Sequence, residues 1–497
     1  MMKTKTTYKM KTRYITIAVI LLLMPLLAGA QALKGSYFIE SSVNRHRLNP
    51  AFAPRANYFQ LPGIGNFSTG IVSNLDMPSF LYPKNGQLLT FLHKDVSMQE
   101  FDKRFPKHPH LDMDVNTTFF SFGFYTKQNS FWNFDLDMRV MADVDLPHDL
   151  FRFLKKGTGT TGESFNIANT NMYATGALQA AVGYSRDIIK GLRVGAKVRV
   201  IAPVAYVGLN LENVSLTTGA DKWNISTEGY AYAALQGLDV NLSEPNTIPE
   251  VEFDVRKFLA NKALAGFGYS FDLGVEYRYK MDGFFNGFRV SAAVTDLGMI
   301  HYNKDAVHAF KSAGSVDWIG FQNVSLDDTD FEASLDDFVS NAQGLLNLEK
   351  EVQGESFARS TMPRIYAGLE VPFMWDRMSL GLLYSARKSH SYFRQELTAS
   401  LNLKPLKWLA LGANYSFLNT AHTIGWIIEL TPKIGPTLYV GGDYLPLSFA
   451  EVPLLENVLG DPDLMRAMGY QTWILPMSMR MNLHFGIAFN LGSKKAN

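Results

Sequence analysis

The chain has 497 residues, with 47 Lys and Arg against 46 Asp and Glu, a net charge of +1, and no cysteine. So balanced a charge gives no reason to propose a nucleic-acid partner, and the lack of cysteine excludes disulfides, thiolate metal sites and a lipid-modified N-terminal Cys. The length fits two or three soluble domains or one large barrel, and 13% aromatics with 39 glycines suit a barrel with aromatic belts and tight turns.

Residues 1–30 read as a secretory signal. Lys3, Lys5, Lys9, Lys11 and Arg13 precede an apolar Ile15–Leu27, and Ala28-Gly29-Ala30 supplies the small residues for cleavage before Gln31. A helical span needs about 20 apolar residues, and neither this run nor any later one reaches that length. If the mature protein crosses a membrane, it must do so as a closed barrel, because open sheet edges cannot be satisfied in hydrocarbon.

Residues 31–54 read as an irregular N-terminal segment, since Pro50 and Pro54 remove ladder donors. Tyr58–Ser73 is a first strand weakened by Pro62, Gly63 and Gly65. Stronger dyads follow. Trp132, Phe134, Leu136, Met138, Val140, Ala142 and Val144 face one way; Asp135, Asp137, Arg139 and Asp143 face the other. Leu192–Val200 sets its apolar positions against Arg193, Lys197 and Arg199, and Phe267–Tyr279 against Asp272, Glu276 and Arg278. Similar alternation appears near 115–126, 171–186, 284–300, 364–373, 376–387, 394–404, 407–418, 421–431 and 436–445. The last candidate, Met477–Leu491, has a wholly apolar face from Met477 to Leu491 and a polar one carrying Arg480 and His484. A tilted bilayer-crossing strand needs roughly 9–11 residues.

These 14 candidates are joined alternately by short turns (127–131, 186–191, 281–283, 374–375, 405–406, 432–435) and by mostly longer loops (74–114, 145–170, 203–263, 301–363, 388–393, 419–420, 446–475). An even count with all short turns on one side is the pattern of a bacterial outer-membrane barrel with both ends in the periplasm. The expected fold is therefore all-β: a 14-stranded antiparallel transmembrane β-barrel over 55–491, with a periplasmic tail at 492–497. Trp132, Trp375 and Trp408 lie by the inner turns, as an interfacial belt places them. Val214–Thr218 and Asn224–Ala234 suggest a further hairpin standing above the membrane or folding over the mouth. The outer loops should be partly helical, at the capping box Ser97–Glu100, at His148–Lys156 and along the apolar stripe Phe331–Leu346.

Chemical motifs are weak. Gly157–Gly162 spells G-x-G-x-x-G but lacks the strand before and helix after that a dinucleotide needs. His108 and His110 with Asp112 and Asp114 match no common zinc spacing and read as a solvated loop. Asp327–Glu332 lacks the EF-hand glycine and terminal Glu. No nucleophile–base set is recognisable, so no enzyme, metal or cofactor is expected. The candidate site is the charged inner face: Asp135, Asp137, Arg139 and Asp143, then Arg193, Lys197 and Arg199 two strands on, then Asp272, Glu276 and Arg278, with Arg480 and His484 on the last strand. Ala177, Gln179, Ala181 and Gly183 on the strand between leave room for long side chains to meet. A structural ion-pair network filling a closed lumen and a solute-selecting site are both open readings.

A signal peptide, Asn49-Pro50-Ala51, 14 amphipathic strands and Thr295-Asp296-Leu297-Gly298 closing a strand together resemble an uncharacterised family of outer-membrane barrels. That family is related to the FadL-type long-chain fatty-acid transporters and to the PorV/PorP-type barrels of the type IX secretion pathway. The resemblance implies a lumen plug around 32–54, with Asn49, Pro50 and Ala51 at its junction with the first strand. It also implies passage of a small hydrophobic molecule through a barrel held in outer-membrane lipid of a Gram-negative bacterium. The alternatives are a barrel that scaffolds envelope proteins and a secreted soluble β protein.

Overall fold

The computed structural model describes residues 33–84, 87–156, 165–218, 223–241, 250–253, 256, 264–318, 348–350, 356–388, 393–417, 422–432, 434–445, 447–453 and 472–493. The signal segment, the 157–162 glycine motif, the acidic 327–332 run and the 331–346 stripe lie outside the described residues.

Fourteen strands close into one antiparallel ring. β1 comes in two pieces, Ala56–Gln60 and Phe67–Ser73, followed by β2 His110–Tyr125, β3 Phe131–Asp145, β4 Thr170–Ile189, β5 Leu192–Thr218, β6 Gly266–Lys280 and β7 Gly287–Tyr302. β8 is also split, Phe357–Ser360 and Arg364–Phe373, and is followed by β9 Met378–Lys388, β10 Phe393–Leu406, β11 Leu409–Phe417, β12 His422–Leu430, β13 Gly435–Leu445 and β14 Arg480–Ser493. β14 pairs with β13 on one side and with both pieces of β1 on the other, which abolishes the sheet edge. The break in β1 falls at Pro62–Gly65, with a compensating register shift in β2 between Thr118 and Phe120.

Alternation decides which side meets what. Val198 is 49% exposed while its neighbour Lys197 is 2%; Leu273 is 57% exposed and Asp272 1%. The apolar faces point away from the ring and the charges into it, as a barrel in lipid requires. A soluble sandwich would press those apolar faces together. Among the described residues no helix is long and apolar enough to cross a membrane. Val198→Arg should therefore cost about 2–4 kcal/mol if lipid covers this face. The fraction of heat-modifiable, folded barrel on gels checks this, and an unchanged fraction would contradict lipid contact.

The expected extra hairpin is real but larger than its sequence signal. β5 continues past the ring to Thr218 and pairs there with Trp223–Leu235, which in turn pairs with Val307–Trp318. The outer loops also pack a core of their own. The capping box forms, with Ser97 Oγ accepting from the Glu100 N–H at 3.3 Å, and starts the helix Met98–Arg104. Phe101 of that helix and Phe105 just past its end pack with Phe91 and with Phe151 and Phe153 of the helix His148–Lys156.

Candidate functional site: the plugged lumen

Residues 33–54 lie inside the ring as two short 3-10 turns, Lys34–Ser36 and Val43–Arg47, joined by irregular chain. Prolines and the lack of any dyad keep the segment out of the sheet, so its backbone and side chains find partners on the wall instead. Near the outer half, the Lys34 ammonium pairs with Glu396 and donates to the Tyr444 hydroxyl at 2.6 Å, while the Lys34 and Gly35 N–H groups donate to Asp443 at 2.8 Å each. At the inner end, Glu40 accepts from Arg289 at 2.7 Å and pairs with Arg55, with Arg278 3.7 Å and Lys404 3.8 Å away. Midway, Arg47 donates to Asp137 at 2.7 Å and Asp135 at 3.1 Å, and His46 Nε2 stands 3.2 Å from Asp135.

Asn49-Pro50-Ala51 lies against the wall at β5, β6 and β7. The Asn49 amide donates to the Val275 and Ala292 carbonyls at 3.2 and 3.3 Å, and its oxygen accepts from the Ala51 N–H at 2.9 Å. Glycines face it on the wall. A Cβ on Gly195 would lie 2.1 Å from the Pro50 oxygen, and one on Gly274 2.0 Å from the Asn49 side-chain oxygen.

Burial raises the Glu40 carboxyl, but Arg289, Lys404, Arg55 and Arg278 outweigh it and hold the group well below its ordinary 4.5. Burial also pushes the His46 imidazole below 6.5, with Lys197 and Arg47 helping and Asp135 opposing. Both signs favour docking at neutral pH. As pH falls below 6.5, a released His46 takes up a proton that the docked one resists; Glu40's contribution, present above 4.5, is lost as pH falls through its depressed value. Proteolysis of the plug should accordingly appear and grow on acidification from pH 7, with the first phase absent in His46→Gln. Protection unchanged down to pH 4 would sink the expectation.

Above the plug the wall carries a continuous network. Lys197 donates to Asp135 at 2.8 Å, reaching across β4 past its small residues. Arg139 bridges Asp114 at 2.6 Å and Asp296 at 3.2 Å; Arg199 pairs with Asp296 and with Asp272 at 3.0 Å; Arg364 donates to Asp114 at 2.8 Å. Further out, Arg387 and Arg394 lie 3.6 and 3.5 Å from Asp143. The remaining expected residues do not join this group. Arg193 turns to Asp187 at 2.9 Å, Arg278 pairs with Glu276 at 2.7 Å beside Glu40, Arg480 pairs with Asp76 at 3.2 Å, and His484 Nδ1 meets Ser68 at 2.6 Å.

Two parts of the network escape the sequence reading. Asp112 and Asp114 are not in a solvated loop: β2 begins at His110, so both point inward, 3% exposed, onto Arg387 and Arg139. Asp296 would fall on the outer face by simple alternation. A bulge opposite Asp272 and a left-handed φ of +57° turn it inward, where its N–H donates to Asp272 at 2.8 Å. Between plug and wall remains a polar cavity of about 80 Å³, lined among others by Asn44, Arg47, Asp137, Arg139, Arg364 and His484.

At the outer end the inner surface changes character. Tyr173, Tyr206 and Tyr302 are buried together, with Tyr206–Tyr302 rings 4.9 Å apart and Tyr302 stacked on Phe357 at 4.7 Å. Arg359 holds its guanidinium 5.2 and 5.1 Å from the Tyr173 and Tyr206 rings. This cluster draws on four strands and has no signature in any one of them.

The ring, with its apolar outward band, is that of an outer-membrane barrel. Similar solved structures include the toluene transporter TodX of Pseudomonas putida (12% identity, TM-score 0.36, covering 93% of this chain and 96% of that one). The TodX deltaS2S3 mutant monoaromatic hydrocarbon channel gives 10% identity and a TM-score of 0.40 over 90% and 94% of the two chains. A FadL homologue of Pseudomonas aeruginosa gives 11% and 0.36 over 93% and 97%. No curated protein sequence matches the chain. The model of a family of unknown function, DUF5723, matches residues 50–443, from the plug junction to the thirteenth strand, and the chain belongs to that family.

Proposed function

We propose that this protein is a non-enzymatic, gated outer-membrane barrel that admits a small hydrophobic molecule from outside and passes it only when the plug moves. The observation that carries this reading is the aromatic cluster of Tyr173, Tyr206, Tyr302 and Phe357 at the outer end of the lumen. Aromatic side chains favour a flat apolar body, whereas the charged middle of the lumen does not. The roughly 80 Å³ cavity is too small for such a molecule, so transit needs the plug to shift. Lipid extraction of the purified protein followed by mass spectrometry tests the reading, with Tyr302→Ala expected to lower the bound amount. Repeated absence of ligand, together with no uptake defect in a deletion strain, counts against it.

A second reading is a closed scaffold for an envelope complex, favoured by the ion pairs that fasten the plug from Lys34 to Arg47. Crosslinking in cells separates the two, since only a scaffold should give a stoichiometric partner. Export with cleavage after Ala30 belongs to either reading, and N-terminal sequencing beginning at Gln31 checks it.

A further inference from the structure

We propose that the rim of the barrel on the side of its short turns binds the phosphates of anionic phospholipids, such as phosphatidylglycerol, in the facing leaflet. Five of the six short turns carry an exposed cation in or beside them: Lys127, Lys190, Lys280, Arg377 and Lys407. Among the described residues none of the five has a carboxylate partner. The acidic residues of those turns do not balance them. Asp187 accepts from Arg193 at 2.9 Å and Asp376 lies 3.9 Å from Arg289, which leaves Asp282. The whole chain has a net charge of only +1, so this excess is local.

Four of the five cations stand beside large apolar side chains that are exposed as well. Ile188 and Ile189 precede Lys190, Tyr279 and Met281 flank Lys280, and Leu406 and Trp408 flank Lys407. Trp375, two residues before Arg377, is 72% exposed. These side chains continue the apolar band of the wall, so the rim lies where hydrocarbon gives way to headgroups. At that level Lys and Arg stems run along the apolar boundary and extend their charge to the phosphates.

The cations are spread round the ring, at the β2–β3, β4–β5, β6–β7, β8–β9 and β10–β11 turns. A protein docked against one sector would meet one or two of them, whereas lipid surrounds the barrel and meets all. The net negative lipid is favoured over a zwitterionic one, whose ammonium offsets the phosphate. A basic residue close to an anionic surface is worth about a fivefold preference. This inference rests on the barrel lying in a bilayer and not on which molecule it passes.

The test takes the full-length barrel from vesicles of equal phosphatidylcholine and phosphatidylglycerol into mild detergent and measures the retained lipids by mass spectrometry. Phosphatidylglycerol should exceed phosphatidylcholine about fivefold or more. Washing in 1 M salt, where charges are screened beyond about 3 Å, should level the ratio. Lys190→Gln, Lys280→Gln and Lys407→Gln together should bring it close to one. Lys94→Gln, Lys103→Gln and Lys107→Gln, exposed in an outer loop, remove the same charge and should leave it unchanged. Equal retention by the unaltered protein overturns the proposal. So does a preference that survives in the rim variant or vanishes in the outer-loop variant. Loss of a crosslinked envelope protein from the rim variant, with the lipid ratio intact, would assign the rim to a protein partner and overturn it too. If the triple rim variant does not assemble, Lys407→Gln alone and the salt wash of the unaltered protein decide.

Discussion

Asp135→Ala should be among the most damaging single substitutions in the lumen, destabilising the barrel by about 3–5 kcal/mol, the usual result of removing one partner of a buried pair. Its carboxylate accepts from Lys197 at 2.8 Å, from Ser121 at 2.8 Å and from Arg47 at 3.1 Å, with His46 at 3.2 Å, and is itself 1% exposed. Without it, the Lys197 ammonium, 2% exposed, loses the carboxylate it donates to. Asp135→Asn should fall between, because an amide oxygen still accepts from Ser121 or Lys197. Replacing both partners, Asp135→Ala with Lys197→Met, should recover most of the loss, since apolar groups leave nothing unpaired. Urea unfolding of the refolded barrel measures all three. If Asp135→Ala costs less than about 1 kcal/mol, a typical net hydrogen bond, the network contributes no more than isolated surface contacts and its structural role is refuted.

Gly195→Val and Gly274→Leu should open the barrel. At both positions the added Cβ would overlap the plug, at 2.1 Å from the Pro50 oxygen and 2.0 Å from the Asn49 side-chain oxygen. The Pro50 contact is with backbone, which cannot rotate away as a flexible side chain can. Overpacking of this kind costs about 1–3 kcal/mol. The strain falls on the less firmly anchored partner, the plug junction, rather than on strands laddered on both sides. In planar bilayers the parent barrel should be silent and the variants should conduct; cells should become sensitive to antibiotics that the outer membrane excludes. Gly176→Ala is the matched control, because its Cβ would meet only Val140 at an ordinary 3.8 Å. Silent variants whose plug stays protected from protease would mean that the Asn49-Pro50-Ala51 contact does not hold the plug.

How much of this was legible beforehand depends on the range of the interaction concerned. Each strand was visible because alternation is local: a residue and its neighbours at one and two positions suffice to show which face is apolar, as Val198 and Lys197 do. The strand count, the side of every short turn and the inward direction of Asp135, Lys197 and Asp272 follow from that period alone. The extension of β2 back to His110 was hidden because Pro109 and two histidines look like loop, although Asp112 and Asp114 keep the dyad. Asp296 was hidden for the opposite reason, since a bulge breaks the dyad at that residue.

By itself, then, the amino-acid order determined a closed, 14-stranded ring with a charged interior and a non-strand segment ahead of its first strand. Only the tertiary structure decided which charges meet. Register between neighbouring strands and the curvature of the ring bring Arg139 of β3 to Asp296 of β7, and the path of the plug brings Arg47 to Asp137. The aromatic cluster and the polar cavity arise the same way, from residues far apart in the chain that share no local pattern. Short-range periodicity reports what a side chain faces; closure alone selects its partner.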